Sequence, residues 1–167
     1  MLVAVAAIAL TGCGEATPKK QFDGSKGEVK LLTLDPGHFH AALVQMYMYD
    51  QVDPTVNVYA PEGDDVKMHL DRINIYNTRA ERPTSWNEQL YTGEDFLQKM
   101  IEEQKGNVVV LAGNNGKKTG YVKAAVDAGI NVLSDKPMAI DQKRFKLLEQ
   151  TLDEAADKGV MVYDIMT

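Results

Sequence analysis

The chain has 167 residues, 44% of them hydrophobic and 25% charged, the composition of a globular domain with a core of its own. Its net charge of −6 comes from interleaved acids and bases. No basic stretch is long enough to track a phosphate backbone, which excludes nucleic acid as the expected partner. No apolar run reaches the roughly 18 residues of a membrane-spanning helix, and a lone cysteine, Cys13, excludes an internal disulfide.

Residues 2–10 are apolar and lead into Leu10-Thr11-Gly12-Cys13. An apolar run shorter than about 15 residues is too short to span a bilayer but fits the core of a signal peptide. Small residues and a cysteine after it resemble a bacterial lipoprotein signal, which implies cleavage before Cys13 and a lipid on its thiol. The competing reading is a short core helix with a buried thiol, and no Lys or Arg precedes the run. Residues 15–27 are polar, with Pro18, Gly24, Gly27 and three lysines, which suits a flexible tether. Residues 1–28 are therefore expected to be signal and tether, and residues 29–167 the folded domain. The expected location is an exported, membrane-anchored protein, periplasmic or cell-surface, touching the membrane through its lipid alone.

From Val29 the pattern alternates between strand and helix. Residues 29–34 form a short apolar strand closed by Asp35-Pro36-Gly37, a turn signal. Residues 38–49 read as a helix with Phe39, Ala42, Leu43 and Met46 on one face. Residues 56–60 predict a second strand, closed by Pro61-Glu62-Gly63. Asp64 then caps a helix to about Tyr76, with Val66, Leu70 and Ile73 facing inward. Residues 77–88 have no period and are expected to be a long loop, a kind that is often functional. In it, Trp86 with Arg79 and Arg82 could stack on a sugar or an adenine and pair with phosphate, although such residues more often pin a loop. A short strand is expected near residues 89–91. Thr92, with Asp95 three residues on, predicts a helix cap, and the helix runs to about Gln104 with Phe96, Leu97, Met100 and Ile101 inward.

Residues 107–112 are the clearest strand. Its consecutive Val108, Val109, Val110 and Leu111 imply burial on both faces, as in a parallel sheet covered by helices. A helix over about 118–128 stopped by Gly129, a strand at 130–133, a helix capped by Asp141 and stopped by Gly159, and a strand at 160–163 complete the pattern. Such alternation predicts an α/β fold with a doubly wound, mostly parallel sheet. The chain ends directly after a strand, so a fragment of a longer protein is expected.

Three segments together resemble the glucose–fructose oxidoreductase / inositol dehydrogenase (Gfo/Idh/MocA) family: the strand-turn-helix of 29–45, the strand and turn of 107–115 ending Gly113-Asn114-Asn115, and residues 125–139 with Asp135-Lys136-Pro137 at the family's Glu-Lys-Pro position. The resemblance implies a Rossmann-like domain binding NAD or NADP, and a full-length oxidoreductase acting on a sugar, polyol or glycoside. It implies a C-terminal α/β substrate domain that these residues lack, to which homo-oligomerisation would also belong. The fragment alone is expected to be inactive. The resemblance puts the catalytic role on Lys136 and cofactor contacts on Gly37, His38, Phe39, His40, Glu62, Asn114, Asn115, Asp135 and Pro137. Lys136 at the C-terminal end of a parallel strand stands where such sheets place their ligands.

The chain departs from the family at the first turn. The usual Gly-x-Gly-x-x-Gly is Asp35-Pro36-Gly37-His38-Phe39-His40, and only Gly37 remains. The first glycine ordinarily permits the tight turn and the last permits close helix–strand packing. Asp35 adds negative charge where a pyrophosphate is expected, although a helix N-terminus still offers N–H groups. Glu62, 25 residues beyond Gly37, stands near the spacing of the ribose-binding acid. Two other readings remain. One is a non-catalytic, lipid-anchored binding protein that kept the fold. The lesser is a metal-dependent hydrolase using the His38-Phe39-His40 pair, whose alternate residues point the same way. Only one other histidine, His69, exists, it falls in a predicted helix, and nothing else has ligand spacing, so no metal is assigned.

Overall fold

A computed structural model describes residues 22–165; the expected signal, with Cys13, lies outside the described residues. The strands are β1 (Leu31–Leu34), β2 (Thr55–Ala60), β3 (Asn87–Thr92), β4 (Val108–Leu111), β5 (Asn131–Ser134) and β6 (Val162–Asp164). Between them run α1 (His40–Leu43), α2 (Asp64–Thr78), α3 (Phe96–Glu103), α4 (Asn115–Asp127) and α5 (Gln142–Lys158). The sheet order is β3-β2-β1-β4-β5-β6 with every pair parallel. This is the doubly wound Rossmann order, whose direction reverses between β1 and β4.

Alternation along the strands sorts side chains into two cores. Leu32, Leu34, Val109, Leu111 and Val132 face Phe96, Met100, Tyr121, Val122 and Ala155 from α3, α4 and α5. Leu31, Val56 and Val110 face Ala42, Ile73, Tyr76 and Trp86 on the opposite side. The run in β4 thus feeds both cores, and Val109 and Val110 are wholly buried, each stabilising by roughly 1.5–3 kcal/mol. α5 is bounded as its sequence predicts. The Asp141 carboxylate accepts the Arg144 N–H at 2.8 Å, and Gly159 ends the helix at a left-handed φ of 67°, as C-terminal glycines commonly do.

Three expectations need correction. The helix expected over 38–49 is only four residues long. Its continuation would need the carbonyls of Gln45 and Met46 for its own N–H groups. Instead, the Trp86 indole donates to the Gln45 carbonyl at 2.6 Å, and the Arg79 guanidinium donates to the Met46 carbonyl. The expected loop of 77–88 is correspondingly shorter, because α2 reaches Thr78 and β3 begins at Asn87. Trp86 is buried, Arg79 lies over the rings of Tyr47 and Tyr76, and Arg82 also approaches Tyr47. This segment pins the chain after α1 and offers no aromatic face to a ligand. The expected caps Asp64 and Thr92 are displaced as well. Gly63 precedes α2, Asp95 precedes α3, and neither helix has a side-chain cap.

Within that pinned segment, Gln45 is buried and its amide donates to Glu88 at 2.5 Å, while the second carboxylate oxygen of Glu88 has no partner among the described residues. Burial outweighs the Gln45 hydrogen bond and raises the Glu88 pKa to about 7. The folded state therefore holds this proton more tightly than the unfolded one. The stability this contributes is complete below the ordinary glutamate range near 4.5 and is lost as pH rises through about 7. Glu88→Gln should match the parent in denaturant unfolding at pH 4.5 and exceed it at pH 8 by roughly 1–3 kcal/mol. Equal effects at both pH values would refute the buried-carboxyl account.

Candidate functional site

The turns after β1, β4 and β5 meet at the reversal point of the sheet. Gly113, at φ +103°, lies against the Gly37 backbone so closely that a Cβ on it would stand 2.5–2.6 Å from Gly37 atoms. The Gly37 N–H donates to the Ala112 carbonyl at 2.9 Å. Glycine at 113 thus serves both a left-handed turn and the close approach of two backbones.

Asp35 holds the first-glycine position in the left-handed region, at φ 47°, which Asp tolerates better than most residues. Its carboxylate turns inward. Oδ2 accepts from Asn114 Nδ2 and from the Tyr121 hydroxyl, each at 2.7 Å, and the Asp35 N–H donates to the Tyr59 carbonyl at 2.9 Å. Burial, reinforced by the Asp35 carboxylate, holds the Tyr121 hydroxyl well above the usual tyrosine range, so it stays a donor. The Asp35 carboxylate is therefore held from within the protein through Oδ2.

A second group lies beside this one. Lys118, on the first turns of α4, is 1% exposed. Its ammonium donates to Asn115 Oδ1 at 2.8 Å, to the Asp135 carbonyl at 3.1 Å and to Asp135 Oδ1. The other carboxylate oxygen of Asp135 faces His38 Nδ1 at 3.5 Å and His40 Nδ1 at 3.4 Å. Asp135 and Lys118 are buried, whereas the His38 side chain is 42% exposed and that of His40 12%. A buried ion pair costs desolvation on both sides, and removing one partner alone strands a charge.

The predicted residues divide by position. Gly37, His38 and Phe39 line a crevice against Asp65, His69 and Arg72 of α2. Glu62 lines an adjoining hollow with Asp35, Pro36, Ala60 and Asp65. Asn114, Asn115, His40 and Asp135 lie in the polar network beneath the turn. Lys136 and Pro137 follow Asp135, exposed at the end of β5 and joined by a cis peptide. A wider groove of about 1040 Å³ lies between α4 and α5, lined among others by Lys117, Tyr121, Arg144 and Leu147, and holds none of the predicted residues.

Sequence reasoning missed Arg72, Lys118 and the pairing of Asp135 with the two histidines. Arg72 lies over the Phe39 ring at 5.7 Å, three residues after His69 on α2. That spacing puts both on one helix face, a signal that could have been read. His69 is buried, and burial, with Arg72 adding to it, lowers its pKa to about 4. The turn fits a dinucleotide in two respects. Its first position keeps the left-handed backbone, and Gly37 presents no side chain to the crevice. An added Cβ there would find nothing nearer than 3.5 Å, at the Asn114 nitrogen and Asp65 Oδ2. In a third respect it differs, because His40 replaces the last glycine above a helix of only four residues.

Comparison with known proteins agrees with this geometry. The family model described as oxidoreductase family, NAD-binding Rossmann fold, matches residues 62–164, beginning in the turn after β2. A crystal structure from Parabacteroides merdae ATCC 43184, of a protein assigned as an oxidoreductase, is 62% identical with a TM-score of 0.86, covering 88% of this chain and 34% of that one. Biliverdin reductase from Synechocystis sp. PCC 6803, solved with biliverdin and NADP+, is 15% identical with a TM-score of 0.58, covering 81% of this chain and 37% of that one. A protein from Sinorhizobium meliloti 1021 assigned as a myo-inositol dehydrogenase is 15% identical with a TM-score of 0.55, covering 82% of this chain and 36% of that one. The last two likenesses concern the fold alone. The chain spans about a third of the length of these structures. A search of curated proteins finds no match.

Two substitutions probe the junction of turns. Gly113→Ala should destabilise by roughly 2–4 kcal/mol, since it combines overpacking with a forbidden φ. Gly120→Ala, on α4 with open space around its Cα, should be neutral or stabilising by roughly 0.5–1 kcal/mol. Urea unfolding distinguishes them, and equal behaviour would refute the close approach. Lys118→Met should cost roughly 3–5 kcal/mol by leaving Asp135 buried and unpaired, and Lys118→Met with Asp135→Asn should recover part of that loss. If the double variant is less stable than the single, the buried charge is not what Lys118 offsets.

Proposed function

This chain belongs to the Gfo/Idh/MocA oxidoreductase family, and we propose that it is the nucleotide-binding part of an NAD(P)-dependent oxidoreductase whose substrate is a sugar, polyol or glycoside. The observation that carries the reading is the bare backbone of Gly37 at the reversal of a β3-β2-β1-β4-β5-β6 sheet, where open parallel sheets bind their ligands. Gly37, His38 and Phe39 would flank the pyrophosphate, with Arg72 supplying positive charge across the crevice. Glu62 would accept ribose hydroxyls from the adjoining hollow. Asn114 and Asn115 fix the turn after β4, and Pro137 fixes the backbone after Lys136. When bound, the dinucleotide supplies the hydride acceptor or donor. Lys136, exposed at the end of β5, would orient a substrate hydroxyl and ease the loss of its proton.

The remaining substrate groups are assigned to the part of the relatives' length that this chain does not span, as is homo-oligomerisation. We place the protein outside the cytoplasm on a lipid at Cys13. There it lies beyond the soluble dinucleotide pool, so the cofactor would have to stay bound through many turnovers, which requires slow dissociation. A second reading, a non-catalytic anchored binding protein, draws support from the acidic Asp65 beside Gly37 and from His40 in place of glycine.

Gly37→Ala separates these readings. The added methyl meets only ordinary contacts within the protein, so the melting temperature should hold. Calorimetric titration with NAD+ and NADP+, on chain unfolded, freed of any retained dinucleotide and refolded, should show binding to the parent and at least about tenfold weaker binding to the variant, a loss of roughly 1.4 kcal/mol. Failure of the parent to bind either dinucleotide would reject the oxidoreductase reading in favour of the second.

A further inference from the structure

We propose that His38, His40 and Asp135 form a binding site for a divalent transition-metal ion of the zinc class. The His-x-His pair alone lacks a third ligand in the sequence. The fold supplies it from the end of β5, about a hundred residues away, because β4 separates β1 from β5 by a single strand. One ring nitrogen of each histidine and one carboxylate oxygen of Asp135 all lie within 4.8 Å of one another.

The spacing favours an ion over direct pairing. His38 Nδ1 and His40 Nδ1 stand 3.5 and 3.4 Å from Asp135 Oδ2, beyond the 2.7–2.9 Å or so typical of a charge-assisted N–H···O bond. For metal–ligand bonds of about 2.0–2.1 Å, the edge of a tetrahedron is roughly 3.3–3.4 Å. Both separations lie near that edge. The two imidazole rings meet edge-on, at 89° with centroids 4.1 Å apart, so they approach the shared oxygen from different directions.

The surroundings suit a ligating carboxylate. Lys118 fixes the orientation of the side chain by donating both to Asp135 Oδ1 and to the Asp135 carbonyl, and leaves Oδ2 toward the histidines, the role that outer partners play at metal sites. Two features work against the ion. The Lys118 charge lies on the same carboxylate and repels a cation, and His38 Nδ1 also accepts weakly from the His40 N–H at 3.5 Å. Both lower the affinity, so binding in the micromolar range is expected. Three protein ligands leave a fourth position for water or a substrate oxygen, and the exposure of His38 opens that position to the crevice side. The site shares His38 with the dinucleotide reading but takes its other ligands, His40 and Asp135, from under the turn, and it does not use the Gly37 backbone.

The test uses the purified chain without a histidine tag, stripped with chelator and titrated with Co(II) in the absence of nucleotide. Saturable visible absorption of four-coordinate character, at about one ion per chain and displaced by Zn(II), is expected. His38→Ala and His40→Ala should each weaken binding at least about tenfold. His38→Ala, at an exposed position, should keep the parent's circular dichroism and melting temperature, so its loss of binding cannot be ascribed to unfolding. Absence of a saturable band in the parent, or its survival in the double histidine variant, would overturn the site. Because nucleotide titrations are run on the same stripped protein, loss of one activity is read independently of the other.

Discussion

The buried ion pair of Lys118 with Asp135 is the constraint around which this face of the molecule is organised. A lysine amine buried on the inner side of α4 needs a carboxylate to offset its desolvation, and Asp135 at the end of β5 supplies it. Meeting that requirement fixes the distance between the start of α4 and the turn after β5. It also orients Asp135 toward the first turn, where His38 and His40 stand. Asn115 completes the ammonium's partners from the first residue of α4. Three chain segments distant in sequence are thereby tied at one point, the reversal point of the sheet.

Beside the ion pair, the turn after β1 shows how a backbone conformation can outlast the residue that usually provides it. Glycine is the ordinary means of reaching positive φ because it lacks a Cβ. Asp35 reaches the same region at greater cost, and two 2.7 Å hydrogen bonds from Asn114 and Tyr121 offset that cost. The residue that does remain glycine, Gly37, is the one whose Cα faces the crevice, and Gly113 is the one whose Cα faces another backbone. Each of these two glycines is at a position where a side chain would occupy space needed by something else.

Much of the frame was legible in the sequence because it rests on local rules. Four large apolar residues in β4 declared burial on both faces, Asp141 and Gly159 bounded α5, and the alternation of strand with helix gave the parallel sheet. The first helix was misread because its apolar spacing is genuine, while what ends it is tertiary: Trp86 and Arg79, from a segment some forty residues on, take carbonyls the helix would have used. Trp86 looked available for the same reason, since burial of a single aromatic in an aperiodic stretch has no sequence signature. Near the candidate site, the positions of Gly37, Glu62 and Lys136 after β1, β2 and β5 could be read from motif spacing. The partnership of Lys118 with Asp135, and of Asp135 with the histidines, could not, because it depends on which strands are neighbours.

The departures from the usual glycine pattern can be read as decay or as construction, and the hydrogen-bonding decides between them. A turn that has merely lost its selective requirement has no reason to partner its new carboxylates. Here Asp35 has Asn114 and Tyr121, and Asp135 has Lys118. Buried polar networks are stabilising when every member is satisfied and costly when one is missing, so these residues stand or fall together. Replacing Asp35 by glycine would leave the Tyr121 hydroxyl without its acceptor. Replacing Asp135 would strand Lys118 and remove what both histidines face. A set of residues so mutually dependent is a built feature of the turn, and it places side chains with proton-transfer and metal-binding chemistry where the usual pattern has only backbone. Together the proposed sites therefore draw on the end of β1 as well as on Lys136 after β5.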